Sequence, residues 1–352
     1  MKAVLLVKEP STGHPKTELR EVEMPIPGPG GLVVKMEACG LCGTDIEKIR
    51  GEYTAAMPVL GHEAVGTVAG VGEGVVGFHE GDRVFPHHHV PCHSCYYCKA
   101  GSETMCDMYR SSNLTPGGFS EFFRVPRWNV SKGGVLKLPD DLNFDVASLI
   151  EPVACCVRAL DKVNVQAGES VLVAGAGPVG MMHSMLLKSM GATVIVSDVS
   201  EGRLEFAGKA GVHLAINANK EDVQNKVKSE TEGRGADIAI IASGTPASII
   251  QGLRSIRKGG KVCVFGMPHK GSVLDYDISD LLNSEIRVIT SYGATEAETK
   301  KALVYISSFR NEFSNLVTHI FPLSRFDEGV ETAASGRGMK IVISPDGRPG
   351  QA

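Results

Sequence analysis

The segment ACGLCGTD (38–45) places Cys39 and Cys42 three apart, with Thr44 and Asp45 directly after them. That spacing suits a zinc knuckle, a redox pair or a single metal ligand beside a bystander, and the segment alone does not choose. A second group says more. CHSCYYCKAGSETMC (92–106) carries Cys92, Cys95, Cys98 and Cys106 as C-x2-C-x2-C-x7-C. Four thiolates in one short loop match a closed tetrahedral zinc site, which leaves no open position and is therefore structural. An iron–sulfur cluster is the rival, since thiolates hold those as well, but no electron-transfer partner site is visible. His87, His88, His89 and His93 lie beside this loop. With four thiolates at hand, they are expected at the surface.

Cys42 has other partners to consider. GHEAVGTVAGVGEGV (61–75) offers His62 and Glu63, and LIEPVACC (149–156) offers Glu151. One thiolate, one imidazole and one carboxylate make a three-ligand set with an open fourth position, the format of catalytic zinc. On that reading Cys39 is a bystander, and ACGLCGTD is neither a knuckle nor a redox pair.

A third constellation is glycine-rich. VLVAGAGPVG (171–180) holds Gly175, Gly177 and Gly180 as G-x-G-x-x-G, with Pro178 and Val179 inside the turn. Such a pattern is weak alone, but this one follows an apolar strand, opens a helix and precedes a second strand ending in Asp198. Gly175 permits the tight turn, Gly177 lets backbone approach a pyrophosphate, and Gly180 lets helix pack on strand. Pro178 fits a first helical turn, where no N–H is needed. Asp198 lies 23 residues beyond Gly175, near the ~20 expected of a ribose-binding acid. A carboxylate there accepts from the ribose 2′-hydroxyl and repels a 2′-phosphate, so NAD is favoured over NADP. Arg203 is the counter-signal, since an arginine nearby accepts that phosphate. Met181, Met182, Met185 and Met190 have helical spacing and read as flexible core filling; His183 beside them reads as structural.

These groups need elements to position them. The first 150 or so residues are β-rich, with AVLLV, LVVKMEA and EAVGTVAGV broken by Gly and Pro, and MPIPGPGG (24–31) forms a loop. From about residue 168 the rhythm becomes strand then helix: VLVAGAG, TVIVSD, ADIAIIAS, KVCVFG and EIRVITSYG are separated mostly by stretches of helical length. That alternation predicts right-handed crossovers and a parallel sheet. A polar helix (TEAETKKALVYISSF) and a closing strand (KIVIS) end the chain. The fold class is therefore α/β. With 352 residues, 43% of them hydrophobic, two domains are expected. A net charge of −4 argues against a nucleic-acid or anionic-membrane partner. The apolar run in MKAVLLVKEP is too short for a signal peptide, and no run approaches ~20 apolar residues. The nine cysteines then suit metal binding in a cytoplasmic protein.

Taken in order, CGLCGTD (39–45), GHEAVGTV (61–68), GDRV (81–84), the four-cysteine loop, EPVACC (151–156) and GAGPVG (175–180) resemble the zinc-containing medium-chain dehydrogenases of the alcohol, sorbitol and threonine dehydrogenase type. The resemblance covers essentially the whole chain. It implies a GroES-like, β-rich catalytic domain from residues 1–151 and 293–352, a Rossmann doubly wound parallel-sheet domain from 152–292, and an active-site cleft where they meet. It also implies two zinc ions per chain, one held by Cys42 and His62 with Glu63, Glu151 or a water completing the shell, the other by the four-cysteine loop. Asp45 would hold His62 in one tautomer. Thr44 matches the hydroxyl that receives the substrate proton. Many members carry a histidine three residues later, where this chain has Glu47, so the relay would end in Glu47 or water. The implied reaction is hydride transfer between NAD and a secondary alcohol or polyol, or the matching ketone. A threonine-type amino alcohol and an aldehyde are the alternative substrates. Relatives pair the edge strand EIRVITSYG across a two-fold axis, which implies a homodimer or homotetramer.

Overall fold

A computed structural model of the chain describes residues 1–9, 13–52 and 59–346. They form two compact units, Met1–Ala154 with the segment from Ala294 onward, and Cys155–Gly293.

The first unit is built on a mixed seven-stranded sheet. Its strands run in the order Val317–Pro322, Lys340–Ser344, Leu32–Gly40, Glu63–Val71, Arg83–Pro86 and Val135–Lys137, with Phe122–Val125 also paired to Leu32–Gly40. A separate antiparallel pair joins Lys2–Lys8 to Pro15–Glu21. Register is the feature that matters for function. Gly40 faces Glu63 on one side and Val342 on the other. Apolar side chains such as Leu32, Val34, Met36, Phe119, Phe123 and Ile343 fill the core beneath. Strand Leu32–Gly40 is buried at nearly every position, so both of its faces are covered. The helix Glu296–Ser308 is fixed at its start by a capping box, in which the Thr295 N–H donates to Glu298 Oε2 at 2.7 Å.

The second unit holds a six-stranded parallel sheet in the order Leu214–Asn217, Thr193–Asp198, Ser170–Ala174, Ala236–Ile241, Ile256–Val264 and Arg287–Thr290. Numbered along the chain, this is 3-2-1-4-5-6, the doubly wound dinucleotide-binding order. Ser170–Ala174 is buried at every position, as a central parallel strand covered on both faces must be. Among the strands that escape a reading of apolar runs are LAIN (214–217) and VTHIFP (317–322). Both are short and interrupted by polar residues, and neighbouring strands rather than local pattern hold them in place.

Candidate metal and dinucleotide sites

In the first unit, strand Leu32–Gly40 runs into Leu41 and Cys42, and Cys42 caps the helix Gly43–Arg50. The Cys42 N–H donates to Asp45 Oδ2 at 3.2 Å, and the Gly61 N–H donates to Asp45 Oδ1 at 3.1 Å. Asp45 is fully buried and its Oδ1 lies 3.6 Å from His62 Nδ1. Burial opposes ionisation of Asp45, but His62, Lys48 and the Gly61 N–H outweigh it and hold the carboxyl below its usual range. Burial likewise disfavours a charged His62, yet Asp45 and Cys42 hold its pKa well above the usual histidine value. One ligand atom each from Cys42, His62 and Glu63 lie within 4.8 Å of one another.

Glu63 is held from the far side of strand Leu32–Gly40. Lys340 Nζ donates to Glu63 Oε1 at 2.6 Å and to the Leu41 carbonyl at 3.1 Å. Both residues are buried. Burial works against the Lys340 charge; Glu63, Cys42 and Glu151 more than restore it and raise its pKa. Gly40 makes this contact possible, because a Cβ there would lie 1.9 Å from Glu63 Oε2 and 2.8 Å from Lys340 Cε. Lys340 is a residue that motif reading missed. Its one signal is a lysine opening KIVIS, a strand buried from end to end.

Glu151 is placed differently. It opens the helix Ile150–Val163, and one ligand atom each of Glu151, His87 and His88 lie within 4.8 Å of one another. The expectation that the histidine run lies at the surface is corrected here. His87 is fully buried, His88 is 8% exposed, and both rings pack among aromatic neighbours. The strand just before them, Arg83–Pro86, is an interior strand of the sheet, so the residues that follow it enter the interior. His89 is partly buried, and His93 is the one exposed member. Thr44 and Glu47 sit three apart on the helix Gly43–Arg50, hence on one face, and both are partly buried.

The four-cysteine loop gathers its sulfurs. All four lie within 4.8 Å of one another, with Cys92–Cys98 at 3.9 Å and Cys95–Cys98 at 3.6 Å. Zinc–sulfur bonds of ~2.3 Å in a tetrahedron require sulfurs about 3.8 Å apart, whereas a disulfide needs ~2.05 Å. The donor set therefore fits zinc, and none of the nine cysteines is in a disulfide. N–H and hydroxyl donors from Ser94 and Cys95 bring the Cys92 thiol down to about 5, while burial and the neighbouring sulfurs push Cys98 up to about 12. His93 ties the loop to the helix Glu296–Ser308 through Glu296 at 2.8 Å.

In the second unit, the glycines occupy the turn after Ser170–Ala174. Gly175 has φ +111°, a region that disfavours side chains. Gly180 could carry no Cβ, which would fall 1.8 Å from the Gly175 carbonyl. Gly177 caps the helix Pro178–Ser189, with Pro178 and Val179 in its first turn. Asp198 ends the next strand and is nearly buried. Its carboxylate accepts from the Ala176 N–H at 2.7 Å and the Ser200 N–H at 2.8 Å, and Arg203 Nη1 stands 3.9 Å away. Met181, Met182 and His183 are fully buried in the same helix, as core residues should be.

These two sites on these two folds define a zinc-binding, dinucleotide-dependent class of oxidoreductase. Residues 28–140 match the alcohol dehydrogenase GroES-like domain, and residues 178–308 match the zinc-binding dehydrogenase domain. The chain is 32% identical to an L-threonine 3-dehydrogenase from Idiomarina loihiensis, over 93% of this chain and 96% of that one. It is 31% identical to a sorbitol dehydrogenase from Halalkalibacterium halodurans, over 98% and 99%. An alcohol dehydrogenase from Thermus sp. ATN1 superposes with a TM-score of 0.84 at 28% identity, covering 98% of this chain and 99% of that one. The chain belongs to the zinc-containing medium-chain dehydrogenases and is an oxidoreductase.

Proposed function

We propose that the chain transfers a hydride between NAD and a secondary alcohol or polyol, or the matching ketone, with two zinc ions per chain. The observation that carries this reading is the convergence of Cys42, His62 and Glu63, braced by Asp45 and Lys340. These three residues would hold the catalytic ion, with Glu151 as a neighbouring carboxylate, and Cys92, Cys95, Cys98 and Cys106 would hold the structural one. Bound zinc supplies Lewis-acid stabilisation of the negative charge that grows on the substrate oxygen. Asp45, whose Oδ1 lies 3.6 Å from His62 Nδ1, would fix the tautomer and leave Nε2 for the ion. Thr44 takes the proton of the substrate hydroxyl, and Glu47, on the same helix face, carries it onward.

The first unit is the catalytic one on this reading, and Cys155–Gly293 binds the dinucleotide. The open N-terminus of helix Pro178–Ser189 faces the pyrophosphate. Asp198 accepts from the ribose hydroxyls. NAD is favoured because Arg203 is drawn toward Asp198 rather than offered to a 2′-phosphate. The relatives named L-threonine 3-dehydrogenase support an amino alcohol as the second substrate reading. At the edge of the sheet, Val288 is exposed, as are Ile278 and Leu282 just before that strand. This apolar edge supports pairing of two chains into a homodimer or, by further association, a homotetramer. No helix among the described residues is long and apolar enough to cross a membrane, and nine cysteines outside any disulfide suit the cytoplasm.

The test is NADH formation at 340 nm from NAD with polyols, secondary alcohols and threonine, and the reverse with ketones and aldehydes. Turnover of at least one group, abolished by Cys42→Ser, is the expected result. Silence in both directions from zinc-loaded protein would overturn the reading.

A further inference from the structure

Beyond the two zinc sites, the first unit holds a third cluster of ligand-bearing side chains. One ligand atom each from His87, His88 and Glu151 lie within 4.8 Å of one another, and none of the three belongs to the Cys42, His62 and Glu63 group or to the four-cysteine loop. All three residues are buried, His87 completely. Both nitrogens of His87 and the Nδ1 of His88 have no hydrogen-bond partner among the described residues. Buried polar atoms are costly to leave unanswered. An orphaned imidazole is not enough by itself. His183 is equally buried and unpartnered, yet it belongs to no cluster of three ligand groups among the described residues. The backbone beneath the two histidines is fixed as well. Asn129, fully buried, donates from Nδ2 to the His87 carbonyl at 2.7 Å and to the His88 carbonyl at 3.1 Å. The His87 N–H donates to the Gly134 carbonyl at 2.7 Å. Ligands carried on a locked backbone are what a metal site requires.

We propose that His87, His88 and Glu151 bind a third metal ion, a divalent first-row transition ion on two imidazoles and one carboxylate. No sulfur enters this donor set, which separates it from both zinc sites. Two-histidine, one-carboxylate sets hold iron(II), cobalt(II) or zinc and leave positions open. The His88 ring centroid is 5.0 Å from that of His62, so the ion would neighbour the one on Cys42 and His62. Two-metal sites hold ions ~3.5–4 Å apart, and here Asp45, Glu63 and Glu151 bring carboxylates to the pair. A buried water is the rival occupant, since it also answers orphaned nitrogens. Metal uptake by the trio is independent of turnover, so it is measurable whether or not the hydride reading holds.

The experiment titrates full-length protein holding its two zinc ions with cobalt(II), by equilibrium dialysis with the visible spectrum recorded. One further equivalent is expected, with d–d bands and no sulfur-to-cobalt charge transfer, because no thiolate touches it. His87→Phe and Glu151→Gln, in different segments, should each weaken that binding at least about tenfold, or ~1.4 kcal/mol. Both zinc ions should remain in these variants and report an intact fold. No further equivalent overturns the inference and leaves water as the occupant. A cobalt spectrum with sulfur charge transfer overturns it too, as does uptake indifferent to His87→Phe. So does a Glu151→Gln protein that loses one zinc while its added cobalt is unchanged, because Glu151 would then serve the ion on Cys42 and His62.

Discussion

Lys340 Nζ donates to Glu63 Oε1 at 2.6 Å, joining two buried charges 277 residues apart in the chain. The pair straddles strand Leu32–Gly40 at its one glycine, Gly40, which is the gap it needs. Removing one partner of a buried pair strands the other charge and costs about 3–5 kcal/mol. Lys340→Met should lower unfolding free energy by that order and reduce zinc content, while Lys340→Arg should retain most of both. Urea denaturation with metal analysis decides it. A Lys340→Met protein with wild-type stability would mean that Glu63 finds another cation.

The four-cysteine loop makes a separable prediction. Cys106 is buried and its sulfur accepts the Cys92 N–H at 3.4 Å. Cys106→Ser should drop zinc from two equivalents to one and lower the melting temperature. Losing a structural metal costs several kcal/mol, because its binding energy is folding energy. NAD binding by the second unit should persist. Atomic emission and calorimetry on one preparation are sufficient, and two zinc equivalents retained in the variant would refute the assignment.

Acid stability should depend on His183. Burial pushes this imidazole down to about 3, against ~6.5 in an unfolded chain. The unfolded state therefore binds the proton first. Between ~6.5 and ~3, stability falls as pH falls, by up to about 1.4 kcal/mol per pH unit from this group, and above ~6.5 the group adds no pH dependence. His183→Leu keeps an apolar side chain against Phe265, whose ring lies 4.7 Å away. Its urea midpoint should decline less steeply than the wild type from pH 6.5 to 4.5. Parallel curves would show that His183 is charged in the native protein.

Nucleotide choice should turn on Asp198. Asp198→Asn removes the charge that repels a 2′-phosphate and releases Arg203, which stands 3.9 Å away. The ratio of kcat/KM for NADP over NAD should rise at least about tenfold, or ~1.4 kcal/mol. NAD affinity should fall as well, since the same carboxylate braces the Ala176 and Ser200 N–H groups. An unchanged ratio would confine Asp198 to bracing the turn.

The amino-acid sequence by itself determined whatever is encoded within one short stretch. The four sulfurs belong to a single loop, so their spacing already confines them to one ion. Gly175, Gly177 and Gly180 share one turn, and their necessity is local: a φ of +111° at Gly175 and no room for a Cβ at Gly180. The alternation of strand and helix was legible for the same reason, although LAIN and VTHIFP, short and polar-interrupted, were not. Tertiary structure alone decided the rest. The partnership of Glu63 with Lys340 depends on three strands meeting in one register, and no local pattern carries register across hundreds of residues. HHHV reads as a polar surface run, yet it follows a strand that lies inside the sheet, and His87 and His88 are buried with a Glu151 oxygen close by. Burial is a property of what packs above a residue, and those atoms come from elsewhere in the chain.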